Sequence, residues 1–196
     1  GDGYAAPRDL WRRPRLKAES LALLADADAF RSMGLDRRQA TWAVRSLGEP
    51  PPALFAHVAG DHRPEPEVAL PAMRLGEHVA QDYLSTSLSL KAHPMSLLRE
   101  DLAPRGIVTA QEVGRVRPGR RIETAGLVLV RQQPGTASGV IFITIEDETG
   151  VANLICWPDV VREYRKAVLK AALLSVRGRV QRESGVTHIV CERRSE

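Results

Sequence analysis

The chain has 196 residues, 43% hydrophobic and 27% charged, with a formal net charge of +4, a composition ordinary for a folded soluble protein of one domain or two small ones. No apolar run approaches the ~18 residues needed to cross a bilayer and no charged-then-apolar leader opens the chain, which points to the cytoplasm. Cys156 and Cys191 have no further Cys or His at metal-ligand spacing, so neither a zinc site nor a disulfide framework is expected, and both read as buried small apolar residues. The positive charge is uneven: residues 1–104 hold 13 basic and 14 acidic side chains, residues 105–196 hold 15 and 10. Lys and Arg neutralise phosphates in non-specific nucleic-acid binding, so the second half points weakly to a polyanion. The opening Gly1-Asp2-Gly3, without Met, reads as a piece of a longer chain.

Pro7 opens a short helix that Pro14 stops. From Lys17 to Ala29, Leu21, Leu24, Ala25 and Asp28 recur at helical spacing. Asp36, with Gln39 three residues on, forms a capping-box signature for a third helix with Ala40, Ala43, Val44 and Leu47 on one side, closed by Gly48. The connection Phe30–Leu35 makes a helical hairpin, read either as a unit offering backbone amides to phosphate or as plain helix packing. The Pro-rich stretch 50–71 reads as a linker. Helices are then expected from Gly76 to Leu84 and from Pro94 to Ala103, the second with Leu97, Leu98 and Leu102 on one side. The expected organisation is a helical segment 1–49, linker 50–71, helical connector 72–106 and a β domain 107–196.

From Arg120 the period becomes that of strands: 121–131, 139–147, 151–157, 171–182 and 186–193, with a helix from Pro158 to Leu169 between the third and fourth. Five strands with that one helix give the element order of an OB-fold. The fold class is therefore α+β, a helical segment resembling a helix-hairpin-helix followed by a five-stranded OB-fold barrel.

An OB-fold receives nucleotides on the outward face of its second and third strands, through aromatic stacking and basic contacts to the backbone. Alternation in Val140–Glu146 puts Phe142, Thr144 and Glu146 on the outward face, where Phe142 either stacks on a base or is covered by a neighbouring helix. On the next strand Asn153 stands beside Phe142 as a reader of base edges, while Trp157 at the strand end is expected in the core. Arg131 before the Gln132–Gly139 loop, and Arg177, Arg179 and Arg182 along the fourth strand, are candidate phosphate contacts against the alternative of simple solvation. The acidic run Glu146-Asp147-Glu148 sends neighbouring carboxylates in different directions, which disfavours a metal site. No histidine pair, nucleophile setting or phosphate-cradling Gly loop suggests catalysis or a cofactor.

The segments Leu24–Ala40, Leu88–Pro94, Ala125–Thr136 and Gly139–Pro158 together resemble, in order, the C-terminal region of the error-prone, second DnaE-type DNA polymerase of bacteria. The resemblance implies that Arg8–Leu47 is a helix-hairpin-helix region and Arg120–Arg194 an OB domain, and that the catalytic palm with its metal-binding aspartates lies upstream. It also implies damage-induced mutagenesis with a Y-family-like partner and the sliding clamp; an end just after the fifth strand, if it is the natural one, favours the error-prone branch. Gly139–Gly150 is similar as well to the anticodon-binding domain of aspartyl- and lysyl-type tRNA synthetases, in which the aromatic matching Phe142 stacks on an anticodon base. Asn153 replaces the usual Gln there and Glu146 stands where Arg is common, which favours generic stacking over anticodon reading. Three roles follow as expectations: holding single-stranded DNA through Phe142, Thr144, Asn153, Arg131, Arg177 and Arg179; docking a protein partner; or binding tRNA.

Overall fold

The computed structural model describes residues 3–12, 16–47, 70–136 and 138–193. They fall into two compact units, Gly1–Lys91 and Ala92–Glu196. The linker expected over 50–71 and the Gly48 stop lie outside the described residues, apart from Leu70 and Pro71.

In the first unit, α1 (Pro7–Arg12) is capped by Asp9, whose Oδ2 accepts from the Ala5 and Ala6 amides at 2.9 and 3.2 Å. Helices α2 (Ala18–Asp26) and α3 (Arg37–Arg45) pack through Leu21, Ala25, Ala40 and Val44, with Phe30 from the turn between them. The expected capping box forms: Asp36 Oδ1 accepts from the Gln39 amide (2.8 Å), and Gln39 Oε1 accepts from the Asp36 amide (2.9 Å). Gly34 closes the turn in the left-handed region, φ 76. Helix α4 (Leu75–Thr86) buries Val79 together with two polar residues, His78 and Asp82. Asp82 binds Arg37 of α3, Lys91 Nζ (2.8 Å) and Ser89 Oγ (2.7 Å). That ion network ties α4 to α3 and to the segment ending at Lys91, where the first unit ends, within the stretch expected as one connector.

The second unit begins with a single helix expected over Pro94–Ala103. The chain instead forms a 3-10 turn, Pro94–Leu98, with His93 Nδ1 accepting from the Met95 amide at 3.1 Å, followed by the short α5 (Arg99–Leu102). The tighter turn swings Met95 fully inside, against Ile107 and Ala125, while Leu97 and Leu98 stay 40% and 38% exposed. Two elements then appear that the periodicity does not announce. Strand β1 (Ile107–Val108) pairs in parallel with the barrel at Glu123 and Thr124. Helix α6 (Ala110–Arg115) starts with a Thr109/Glu112 capping box.

The barrel comprises β2 (Arg121–Gln132), β3 (Ile141–Asp147), β4 (Gly150–Cys156), β5 (Leu173–Glu183) and β6 (Val186–Cys191). The order β1-β2-β3-β4-β6-β5 is closed by β2–β5 pairing, with β4–β6 parallel and the other barrel pairs antiparallel. This is the five-stranded OB topology that the element order implies. Alternate residues Ile141, Ile143, Ile145, Ala152, Leu154, Cys156 and Ile189 fill the interior. The thiols of Cys156 and Cys191 are free, buried and 3.4 Å apart. Between β4 and β5 the expected single helix is two, α7 (Pro158–Glu163) and α8 (Arg165–Lys170), because Tyr164 leaves helical conformation at φ −106, ψ 31.

Closing so narrow a barrel needs glycine where strands press together. A Cβ on Gly178 would meet the Val190 carbonyl oxygen, and Ile189 Cγ2 at 2.6 Å; one on Gly126 would meet the Glu146 carbonyl oxygen at 2.6 Å. Gly178→Ala is therefore expected to destabilise the chain by about 1–3 kcal/mol in urea unfolding.

Candidate nucleic-acid interface

The strand register decides which side chains share the outward face, since residues paired across neighbouring strands point the same way. Phe142, Thr144 and Glu146 alternate with the buried Ile141, Ile143 and Ile145, and all three are half-buried on the outside of β3. Phe142 pairs with Gln132 on β2 and Ile155 on β4, and Ile155 pairs with Val190 on β6. One rung along, Thr144 pairs with Val130 and Asn153, and Asn153 pairs with His188. Thr144 Oγ1 donates to Asn153 Oδ1 at 3.2 Å. Two rungs thus wrap the barrel, an apolar one centred on Phe142 and a polar one centred on Asn153.

The arginines divide. Arg179 on β5 pairs with Val190, which extends the Phe142 rung three strands onward, ~14 Å around the curved surface at ~4.8 Å per strand. Its Nε lies 3.5 Å from Glu192, which Arg121 also engages at 2.8 Å. With Gln181, Arg182 and Val190 it lines a shallow groove of about 420 Å³. Arg177 is exposed two residues earlier on β5, opposite Glu123, and forms no ion pair among the described residues. Arg182 donates to Thr187 Oγ1 (3.3 Å) and the Gly114 carbonyl (2.8 Å). Arg131 is not brought to this face: it pairs with the inward Ile143, and its guanidinium donates to the carbonyls of Val168 (2.7 Å) and Ala171, holding the end of α8. Cationic donors suit a helix C-terminus, where unpaired carbonyls gather.

Two residues join the face beyond those expected there. Trp157, expected in the core, is 53% exposed just past β4, in phase with Asn153 and Ile155. The strand's alternation already placed it outside, and the chain turns into α7 at Pro158 directly after it. His188 follows from the same rule, since its neighbour Ile189 is fully buried.

The acidic end of β3 is structural. Asp147 is buried and accepts from the Thr149 amide (2.8 Å), Thr149 Oγ1 (2.6 Å), the Ala110 amide (2.8 Å) and Arg99 (3.1 Å). Burial alone would raise its pKa; the bonds from Thr149, Ala110 and Arg99 outweigh that and hold it below its ordinary 3.8. Glu148 receives Arg99 Nε at 2.6 Å. Glu146 faces His93 Nε2 at 3.7 Å. Among the described residues no three His, Cys, Asp or Glu side chains are grouped to hold a metal, and no helix is long and apolar enough to cross a membrane.

A family described as an OB-fold nucleic acid binding domain, of the tRNA anticodon type, matches residues 122–194, in agreement with the barrel. Over 98% of its length the chain is 50% identical to error-prone DNA polymerase 1 of Rhizobium meliloti (strain 1021). It is 52% identical over 91% of its length to the error-prone DNA polymerase of Rhodopseudomonas palustris (strain HaA2). The resemblance to error-prone DNA polymerases drawn from the sequence is borne out, and the chain spans 18% and 16% of the length of these two relatives. Among solved structures, the asparaginyl-tRNA synthetase of Pyrococcus horikoshii is 26% identical over 44% of this chain and 22% of its own, with a TM-score of 0.39.

Proposed function

We propose that this chain is a non-catalytic, C-terminal part of an error-prone translesion DNA polymerase, and that its barrel holds single-stranded template DNA. The carrying observation is Phe142, an aromatic kept on the outward face of β3 one rung from the polar pair Thr144 and Asn153, with Arg177 and Arg179 further around the surface. Stacking on such an aromatic is indifferent to base identity, and arginines meet the backbone, the combination that single-strand binders use. In this reading Trp157 offers a second stacking surface, and Arg131 braces the end of α8. Helices α2 and α3 with their turn form a helix-hairpin-helix unit. The palm and its metal-binding carboxylates reside in the rest of the parent DNA-directed DNA polymerase. That enzyme works in the cytoplasm on damaged templates, with a Y-family-like partner and the sliding clamp.

The test is titration of a fluorescent oligo-dT of about 20 nucleotides, longer than the ~4–16 that one OB-fold covers, at low and moderate salt. Binding is expected to weaken with a log–log slope of about −0.7 per phosphate neutralised. Phe142→Ala is expected to lose about 1–3 kcal/mol, the worth of one stacked base. No binding at low salt would overturn the reading.

A second reading has its own observation. Leu129, Val130, Val151 and Leu173 are 51%, 45%, 54% and 44% exposed on the barrel, apolar surface that a mutasome protein could cover. Such an interface would be far less sensitive to salt than phosphate contact.

A further inference from the structure

We infer that Cys156 and Cys191 are a site of reversible oxidative modification, at which a peroxide joins the last residue of β4 to the last residue of β6 by a disulfide inside the barrel. The inference is independent of what the outer face binds.

Strand geometry brings the two thiols together. Alternation turns Cys156 inward with Ala152 and Leu154, and Cys191 inward with Ile189, which leaves the cysteines 3% and 6% exposed. Strands β4 and β6 run parallel, with Leu154 level with Ile189 and Ile155 with Val190, and one step further sets Cys156 level with Cys191. Neighbouring strands lie ~4.8 Å apart, inside the ~4.4–6.8 Å between Cα atoms that a disulfide spans. The Sγ atoms are already 3.4 Å apart and share a hydrogen bond. Closing the bond is therefore a movement of side chains rather than of strands. The chain has no other cysteine, so no other disulfide within it competes.

Buried cysteines in apolar surroundings are commonly inert, because burial disfavours the attacking thiolate. Two features set this pair apart. The hydrogen bond with Cys191 holds the Cys156 thiol below its ordinary value against the opposing effect of burial, while the same bond and burial push the Cys191 thiol up. Cys156 is thus the attacking sulfur. Both residues also end their strands, at the same end of the barrel and next to Trp157 and Glu192, so a molecule as small as hydrogen peroxide need only enter that end.

The chemistry closes on a peroxide alone. The Cys156 thiolate attacks one peroxide oxygen, the O–O bond breaks, and the departing hydroxide takes up the proton the thiol has released, giving a sulfenic acid and water. The Cys191 sulfur then attacks the sulfenic sulfur; its S–O bond breaks, and hydroxide leaves with the Cys191 proton as a second water. Two thiols and one peroxide become one disulfide and two waters, the sulfurs losing the two electrons that the peroxide oxygens gain. The new bond closes a loop that holds α7, α8, β5 and β6, which restricts the unfolded chain and favours the folded one. In a reducing compartment such a pair rests as thiols and closes only when the oxidant rises.

The folded chain, exposed to hydrogen peroxide without denaturant, then freed of it by catalase and unfolded, is titrated for free thiols. Both thiols are expected to be lost and to return with dithiothreitol, the chain staying monomeric on a non-reducing gel, with the urea midpoint of the oxidised form above that of the reduced form. Thiols that survive the treatment, a loss that dithiothreitol does not reverse, disulfide-linked dimers, or a lower midpoint after oxidation would each overturn the inference. So would loss of the thiols only in urea that unfolds the barrel. In Cys191→Ala the reaction is expected to stop at a Cys156 sulfenic acid that dimedone traps, with no rise in midpoint; the wild-type readouts decide the matter even where that variant fails to fold.

Discussion

Asp82→Ala is expected to destabilise the helical unit by about 3–5 kcal/mol, the usual cost of removing one partner of a buried ion pair. Arg37 and Asp82 have side chains only 5% and 8% exposed. Arg37 also donates to the carbonyls of Asp26 (2.8 Å) and His78 (3.1 Å), which fix its position, so it cannot follow its lost partner into water. Lys91 would keep only Asp28, at 3.0 Å. The pH dependence has a definite sign. Burial alone would raise the Asp82 pKa, but bonds from Lys91, Ser89 and Arg37 hold the carboxyl well below its ordinary 3.8. A depressed folded pKa gives stability that is complete above the unfolded value and lost as the pH falls toward the folded one. The gap between wild type and variant is therefore full above about pH 4 and narrows under stronger acid. Urea unfolding followed by tryptophan fluorescence reads this, with Trp11 and Trp42 in the helical unit and Trp157 in the other. Equal midpoints for variant and wild type at neutral pH would show that the network contributes nothing.

That network illustrates what the sequence does not reveal. Alternation in Val140–Glu146 gives β3's inside and outside because one strand's register is a local property. Arg37 and Asp82 stand 45 positions apart on different helices, and only folding brings them together. Asp36 with Gln39 is a legible cap, and the unread Thr109 with Glu112 is the same signature before α6. Strand β1, two residues long, has no room to show a period of two. The candidate face divides along the same line. Phe142, Thr144 and Asn153 follow from alternation, as do Trp157 and His188 once the rule is carried to the strand ends. The occupation of Arg131 by α8 does not, because its partners are backbone carbonyls that any residue supplies.

Asp147→Ala is expected to cost about 2–4 kcal/mol, less than Asp82→Ala because Arg99 would keep Glu148. The carboxylate joins three pieces of chain: the turn after β3 through Thr149, the start of α6 through the Ala110 amide, and the segment before β1 through Arg99. Its loss orphans the buried Ala110 amide and frees the turn. Asp147→Asn keeps one acceptor oxygen but no charge, so about half the loss is expected. The depressed pKa again means stability present above the ordinary 3.8 and lost in acid. Urea unfolding at neutral pH and near pH 3 distinguishes this from a packing defect, which would keep its full size in acid. Oligo-dT affinity supplies the complementary test. Asp147 pairs with Gly150 at the turn, whereas Phe142 pairs with Ile155 near the opposite end of the same two strands. Binding at neutral pH should stay close to wild type in Asp147→Asn and fall in Phe142→Ala, while stability moves the other way. A large loss of binding in Asp147→Asn without loss of folding would place nucleic acid at the turn and shift the candidate face along β3 toward Glu146.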